Sequence, residues 1–139
     1  MREHKFRAWC KKDKLMYWDI QNGITFDDGS RYTFDQFLNP SSDDYHEWVI
    51  EEYTGLPDKN GKEICEGDIC SIIKVGIVDM DDPNPYRRII KWNNRKGGFD
   101  HFRIDGKEGG SGWSFLQSTV EKYYEVIGDI HQHPELLEA

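Results

Sequence analysis

The fold of this chain is decided by residues 53–69, which read YTGLPDKNGKEICEGDI. Pro57 fixes φ for a turn, and the following Asn60-Gly61 pair tolerates the positive φ that the tip of a tight hairpin requires. The flanking segments 48–53 and 62–64 are therefore predicted to be antiparallel neighbours.

The second half of this stretch predicts the start of a strand over 69–78. Gly67 can take a backbone conformation that is closed to residues with a Cβ atom, and Asp68 can accept hydrogen bonds from nearby N–H groups. The polar side chains of the stretch would also suit a ligand-binding loop, with contacts from Asp58, Lys59, Asn60, Glu63 and Glu66. We favour a structural hairpin, because turn chemistry alone accounts for every residue type present.

At 139 residues, the chain is expected to form a single domain over 1–139. We divide it into an N-terminal hairpin region, 1–52, a β-meander core, 53–130, and a C-terminal tail, 131–139. Hydrophobic residues make up 37% of the chain and aromatic residues 14%, so large rings must supply much of the core.

Short runs with strand character, separated by turn signals, recur along the whole chain. They fall at 5–9, 15–18, 47–53, 69–78, 86–92, 99–104 and 123–127. A capping box begins at Thr33, Pro134 suits the start of a closing helical turn, and 113–122 fits either a helix or a strand. We predict a mainly β fold: a small antiparallel β domain with an SH3-like or partly open barrel-like C-terminal meander, an N-terminal hairpin and one or two short helices.

Charge is unevenly distributed along the sequence. The net charge is −8, which argues against a generic nucleic-acid binder. Residues 19–68 hold thirteen acids and three bases, whereas residues 87–107 hold seven bases and two acids. The overall charge therefore conceals a local basic segment.

Cysteine usage and hydropathy bound the location of the protein. The three cysteines are an odd number, the N-terminus lacks the apolar region of a leader peptide, and no run approaches 18 apolar residues. We expect a cytoplasmic protein with reduced thiols and no membrane partner.

Three groups of residues carry metal-ligating or nucleophilic atoms. They are the acidic loop 79–85, the histidines His131 and His133 with Glu135 and His101, and the thiols Cys65 and Cys70. The loop lacks the spacing and the closing Glu of an EF-hand, and neither of the other groups has an evident further partner. We predict no catalytic residue, no metal site and no cofactor, and we expect that the protein is not an enzyme.

The basic segment is the predicted binding surface, because it alternates cations with aromatic rings. Its members are Arg87, Arg88, Lys91, Trp92, Arg95, Lys96, Phe99, Phe102 and Arg103. Cations and rings on a sheet are the components of a platform for single-stranded nucleic acid. We favour the interpretation that these strands form a pair whose charges meet the acidic first half of the chain, in the same molecule or in a neighbouring copy; the segment is the candidate surface if the protein binds a ligand here.

Three motifs of the sequence resemble one known family. The opening 5–9 reads KFRAW, the centre reads YTGLPDKNGKEI at 53–64 and EGDI at 66–69, and the close reads YEVIGDI at 124–130 and PELL at 134–137. Together they are similar to the YopX family of small bacteriophage and prophage proteins. Cys65 stands where that family more often has an aromatic residue, Cys70 where it has an aliphatic one, and Asp129 where Asn is common.

The resemblance implies a largely β fold, a phage or prophage origin and a site of action in the bacterial cytoplasm, but no catalytic residues. We expect a phage accessory protein that is a non-enzymatic β module, which either binds a host or phage protein or self-assembles into a homo-oligomer. Two alternatives stay open: a nucleic-acid-binding module that uses 87–107, and an acidic decoy that acts on a host factor.

Overall fold

A computed structural model of the chain describes residues 4–41, 47–72, 79–109, 115 and 117–138. The described chain forms two compact units, Met1–Tyr53 and Thr54–Ala139, here called unit 1 and unit 2. The expectation of a single domain over 1–139 stays a prediction.

Strands dominate the secondary structure, as the alternating runs predict. They are β1 Phe6–Cys10, β2 Leu15–Tyr17, β3 Ile24–Thr25, β4 Arg31–Tyr32, β5 Trp48–Pro57, β6 Glu63–Cys65, β7 Asp68–Ile72, β8 Arg87–Asn93, β9 Gly98–Phe102 and β10 Tyr124–Asp129. Among the described residues the helices are α1 Phe34–Leu38 and α2 Gln117–Tyr123, and short 3-10 turns lie at Ile20–Asn22 and Pro134–Leu137. The predicted mainly β fold with few short helices is confirmed, whereas its SH3-like character stays a prediction.

Unit 1 is built on β1, which pairs antiparallel with β2 on one side and with β5 on the other. Ala8 lies on its core face with Ile20 and Phe37, and all three are fully buried. Arg7 points to the opposite face, where its Nε donates to Oε1 of Glu51 at 2.9 Å. The alternation of β1 alone did not decide which face is the core, and Ala8 identifies it.

The helix α1 begins at the predicted capping box. The hydroxyl of Thr33 accepts from the backbone N–H of Gln36, and the Gln36 side chain accepts from the N–H of Thr33. Phe37 is buried against the core, but Leu38, expected on the same face, is 46% exposed. A helix of five residues offers only one inward-facing turn, and Leu38 lies beyond it.

Unit 2 contains a four-stranded antiparallel sheet in the order β10-β7-β8-β9. Its core cluster joins apolar residues of these strands with α2 and β6, namely Ile64, Cys70, Ile72, Ile90, Val120 and Tyr124. The ambiguous segment therefore contributes a helix, α2, which includes Tyr123, so that β10 starts one residue later than predicted. The pairing register of β10 with β7 shifts between Val126 and Gly128, so the end of this strand is irregular.

The stretch 53–69 forms the predicted hairpin and strand entry. The N–H of Asp58 donates to the carbonyl of Lys62, and Gly61, with φ of 81°, closes the tip between β5 and β6. Gly67 has φ of 89° and leads into β7, as its conformational freedom predicts. The described part of β7 ends at Ile72, and the rest of the predicted strand 69–78 lies outside the described residues.

Candidate functional site

The predicted basic-aromatic surface lies on β8, β9 and the turns beside them. Trp92 of β8 and Phe99 of β9 form a cross-strand pair, with ring centroids 5.2 Å apart and the rings nearly perpendicular. Trp92 is 44% exposed, whereas Phe102, opposite Ile89, is half-buried. One aromatic ring of the predicted platform is therefore open to a ligand.

Two arginines of this predicted surface, Arg88 and Arg103, are buried. Nη2 of Arg88 donates to Oδ2 of Asp82 at 2.8 Å, and its Nη1 donates to backbone carbonyls. Arg103 donates to both carboxylate oxygens of Asp105, at 3.1 and 2.6 Å, and to Asp81. These guanidinium groups therefore secure loops and present little charge to a ligand.

Three further cations of the segment also have local partners. Arg95 donates to Glu108 at 2.7 Å, and Nζ of Lys96 lies 3.0 Å from Asp100. Hydrogen bonds from Arg95 hold the pKa of the Glu108 carboxyl below its usual range, and those from Arg103 do the same for the pKa of Asp81. Arg87 donates to the carbonyl of Leu136 at 3.1 Å.

The fold thus neutralises most of the positive charge that the sequence concentrates in 87–107. Residues 79–109 together hold seven bases and six acids. The acids that pair with the cations belong to 79–108, and not to the acidic half 19–68 that the alternative interpretation invoked. Lys91 is exposed and makes no ion pair with a described residue, so it and Trp92 are what this surface offers most openly.

Residues considered as metal ligands have structural roles where the structure describes them. Within the described ranges, no three His, Cys, Asp or Glu side chains are grouped so that they could hold a metal ion. Nδ1 of His133 accepts from the backbone N–H of Asp129 at 3.2 Å. Cys65 and Cys70 are buried, and burial above all raises the pKa of the Cys70 thiol well above its usual value.

A second candidate site, which sequence reasoning missed, is a concave pocket in unit 1, here called the aromatic pocket. Its volume is about 170 Å³. Its apolar walls are the rings of Tyr17, Phe26 and Trp48, with Cys10 beside them. Its charged lining consists of Lys12, Asp13 and Glu47.

The strand register explains how this pocket forms. Cys10 pairs with Trp48 across β1 and β5, and Ala8, on the same face as Cys10, pairs with Tyr17 of β2. The pocket therefore continues the core face of the sheet to the end of β1, where the hairpin turn begins. The backbone N–H of Asp13 in that turn donates to Sγ of Cys10 at 3.4 Å.

The ring of Tyr17 is the centre of the aromatic wall. Its centroid lies 5.7 Å from that of Phe26 and 5.6 Å from that of Trp48, both in edge-to-face geometry. Burial raises the pKa of the Tyr17 phenol, as do the nearby Cys10 and two acids, Asp13 and Asp27.

No local motif in the sequence predicts this pocket. Its three rings come from β2, from the residue after β3 and from the first residue of β5, so only the pairing of strands brings them together. The available signals were the aromatic richness of the chain and the excess of acids in 19–68, and neither gives a position.

The model of the YopX protein family matches residues 5–138. A solved structure that is similar to this chain is the crystal structure of protein EF1440 from Enterococcus faecalis, with 28% sequence identity and a TM-score of 0.63. The alignment covers 99% of this chain and 100% of EF1440.

Two further findings limit what can be transferred. No curated protein sequence matches the chain. In the part of the chain that the structure describes, no helix has the length and apolar character needed to cross a membrane.

The family match extends over nearly the whole sequence, including the opening, central and closing motifs that suggested it. The chain therefore belongs to the YopX family.

Proposed function

We propose that this protein is a non-enzymatic binding module, a phage or prophage accessory protein that acts in the cytoplasm of a bacterial host. In this proposal the aromatic pocket of unit 1 receives a side chain of a partner protein. The observation that carries the proposal is the pocket itself, a concavity with walls formed by three rings and a few charged groups. Binding sites in proteins have this composition, mostly apolar with a small number of polar groups.

The size of the aromatic pocket supports a protein ligand over a cofactor. Sites for cofactors and drug-sized molecules commonly measure roughly 300–1,000 Å³. A volume of about 170 Å³ is enough for one side chain and too small for a nucleotide or a flavin. Aromatic residues are also the usual anchors of protein–protein contacts.

Affinity capture from a lysate of the bacterium that carries the gene tests this function. The tagged protein should retain a host or phage protein, and Tyr17→Ala should lose that protein because it removes the central wall of the pocket. Trp92→Ala is the matched control, an exposed aromatic residue of unit 2 outside the pocket. If Tyr17→Ala captures the same proteins as the wild type, the pocket is not the binding site.

The second candidate is binding of single-stranded nucleic acid on β8 and β9. It is favoured by the exposed ring of Trp92 and by the exposed charge of Lys91, which has no ion-pair partner among the described residues. It predicts binding that weakens with salt and is lost in Trp92→Ala and Lys91→Ala. Arg88 is unsuitable for this test, because its side chain is buried against Asp82 and its removal would damage the fold.

Fluorescence anisotropy with a labelled oligonucleotide at low salt measures this binding directly. Trp18→Ala is the control, since Trp18 is 50% exposed and lies in unit 1. No binding at low salt, or equal binding by Trp92→Ala and the wild type, would eliminate the nucleic-acid function.

A further inference from the structure

We infer that the aromatic pocket selects an organic cation, the head group of an arginine or lysine side chain on the partner protein. The inference deepens the proposed function and rests on it for the identity of the ligand as a protein side chain. It is carried by three features of the pocket: the arrangement of its rings, the state of its carboxylates and its size.

Three aromatic rings line the pocket. Tyr17 is steeply inclined to Phe26, at 80°, and to Trp48, at 74°. Such edge-to-face pairs are the usual packing of aromatic rings and also occur in the core of unit 1. The face of an aromatic ring carries negative charge, so a ring face that borders the pocket attracts a cation.

The carboxylates of the aromatic pocket lack the partners that carboxylates of unit 2 have among the described residues. Asp13 and Glu47 contribute to its lining, and neither makes an ion pair with a described residue. In unit 2, by contrast, Asp82, Asp100 and Glu108 are all paired with a base. The pocket therefore retains negative charge that a ligand can balance.

The lining itself holds more acid than base. Lys12 is its single base, against the two acids Asp13 and Glu47. Lys11 and Lys14 flank these residues in the sequence but do not belong to the lining. The excess of acid within the lining favours a cationic ligand over an anionic one.

The volume fits one basic side chain. A cavity of about 150 Å³ is known to hold a molecule of benzene. At about 170 Å³ the pocket is of similar size, and a guanidinium group with its adjoining methylenes has comparable dimensions. Lys12 and Asp13 are exposed, so the pocket reaches the surface and the charged head group is not fully removed from water.

The first test uses small probes on the full chain, which separates ligand class from partner identity. Nα-acetyl-arginine methylamide is titrated against the protein and followed by chemical shifts of the Trp48 indole N–H. The matched probe is Nα-acetyl-citrulline methylamide, which has nearly the same shape and no charge. We expect the arginine probe to bind about tenfold more tightly, in line with a cation–π and carboxylate interaction at a partly exposed site. Equal binding of the two probes would overturn the inference.

The second test uses paired substitutions in the pocket. Tyr17→Phe keeps the ring and should bind the arginine probe within about twofold of the wild type, whereas Tyr17→Leu keeps apolar bulk and should bind about tenfold more weakly. Glu47→Gln should also weaken binding, and Asp28→Asn, exposed and outside the pocket, should not. Circular dichroism establishes that each variant is folded, and undiminished binding by folded Tyr17→Leu would count against the cation.

The failures of the two proposals are distinguishable. A partner protein captured through Tyr17 whose contact tolerates exchange of its basic side chains for Gln refutes the cation and leaves the binding module intact. Selective binding of the arginine probe without any protein captured through the pocket refutes the protein-binding function and supports the cation site.

Discussion

Three buried aspartates fix the backbone at the turns of unit 2. Asp58 accepts from the N–H groups of Asn60, Lys62 and Val126, at 2.8–2.9 Å. Asp68 accepts from Cys65, and Asp129 accepts from His131 and Gln132. These residues belong to the central and closing motifs of the YopX resemblance. The hydrogen bonds that hold the turns therefore explain why aspartate stands at these positions of the motifs. The ligand-loop interpretation of Asp58 is correspondingly weakened, since its carboxylate is occupied by backbone donors.

The hydroxyl of Tyr124 gives a prediction with a defined pH dependence. It is buried, and none of the described residues hydrogen-bonds to it. Burial, and then the neighbouring Cys70, raises the pKa of the phenol. Since the unfolded phenol titrates near pH 10, the folded protein loses stability as pH rises above about 10, where only the unfolded chain gives up the proton.

Tyr124→Phe should remove this loss. Between pH 9 and pH 11 its unfolding free energy should fall by about 1.4 kcal/mol less than that of the wild type. At pH 7 the two should agree within about 1 kcal/mol, because no described hydrogen bond is broken. Urea unfolding at the three pH values measures the difference, and parallel pH profiles would show that the phenol ionises normally in the folded state.

At the scale of elements, Asp58 ties the tip of the β5–β6 hairpin to β10. Its Oδ1 closes the tip, and its Oδ2 accepts from the N–H of Val126. Asp58→Ala should therefore cost about 2–4 kcal/mol of unfolding free energy, since three N–H groups lose a charged acceptor and part of the site is buried. Asp28→Ala is the control, because Asp28 makes a similar turn bond to Ser30 on the exposed surface. Comparable losses in the two variants, measured by urea unfolding, would contradict a tying role for Asp58.

Arg103 plays the corresponding role for the acidic loop. Its guanidinium joins Asp81 to Asp105, whereas Arg95, equally well paired with Glu108, is 67% exposed at its side chain. We expect Arg103→Met to accelerate amide hydrogen exchange over 79–82, and Arg95→Met to leave it unchanged, because exposed pairs stabilise little. Hydrogen exchange of this segment is measured by mass spectrometry in both variants. Identical exchange rates in the two variants would show that Arg103 does not hold the loop.

At the scale of the whole molecule, some features can be predicted from a single sequence and others cannot. Strands, turns and the capping box of Thr33 followed from local patterns, because each depends on residues close together in the chain. The burial and ion pairing of Arg88 and Arg103 could not be predicted in this way, because an alternating pattern does not show which acids the fold brings beside a cation. The aromatic pocket depends on the pairing of three separate strands and is therefore out of reach of local reasoning.

The pairing of cations with nearby acids in unit 2 also affects the expected self-assembly of the protein. Copies of the chain could associate if the acidic half of one met the basic segment of another, and such contacts would weaken with salt. Most cations of that segment already have partners within unit 2, and the net charge of −8 makes two copies repel. We therefore expect light scattering to give the mass of a single chain at both low and high salt. A dimer that dissociates at high salt would contradict this account. A dimer that persists at high salt would indicate an apolar contact, and its loss in Trp92→Ser would place that contact at the exposed ring on β8.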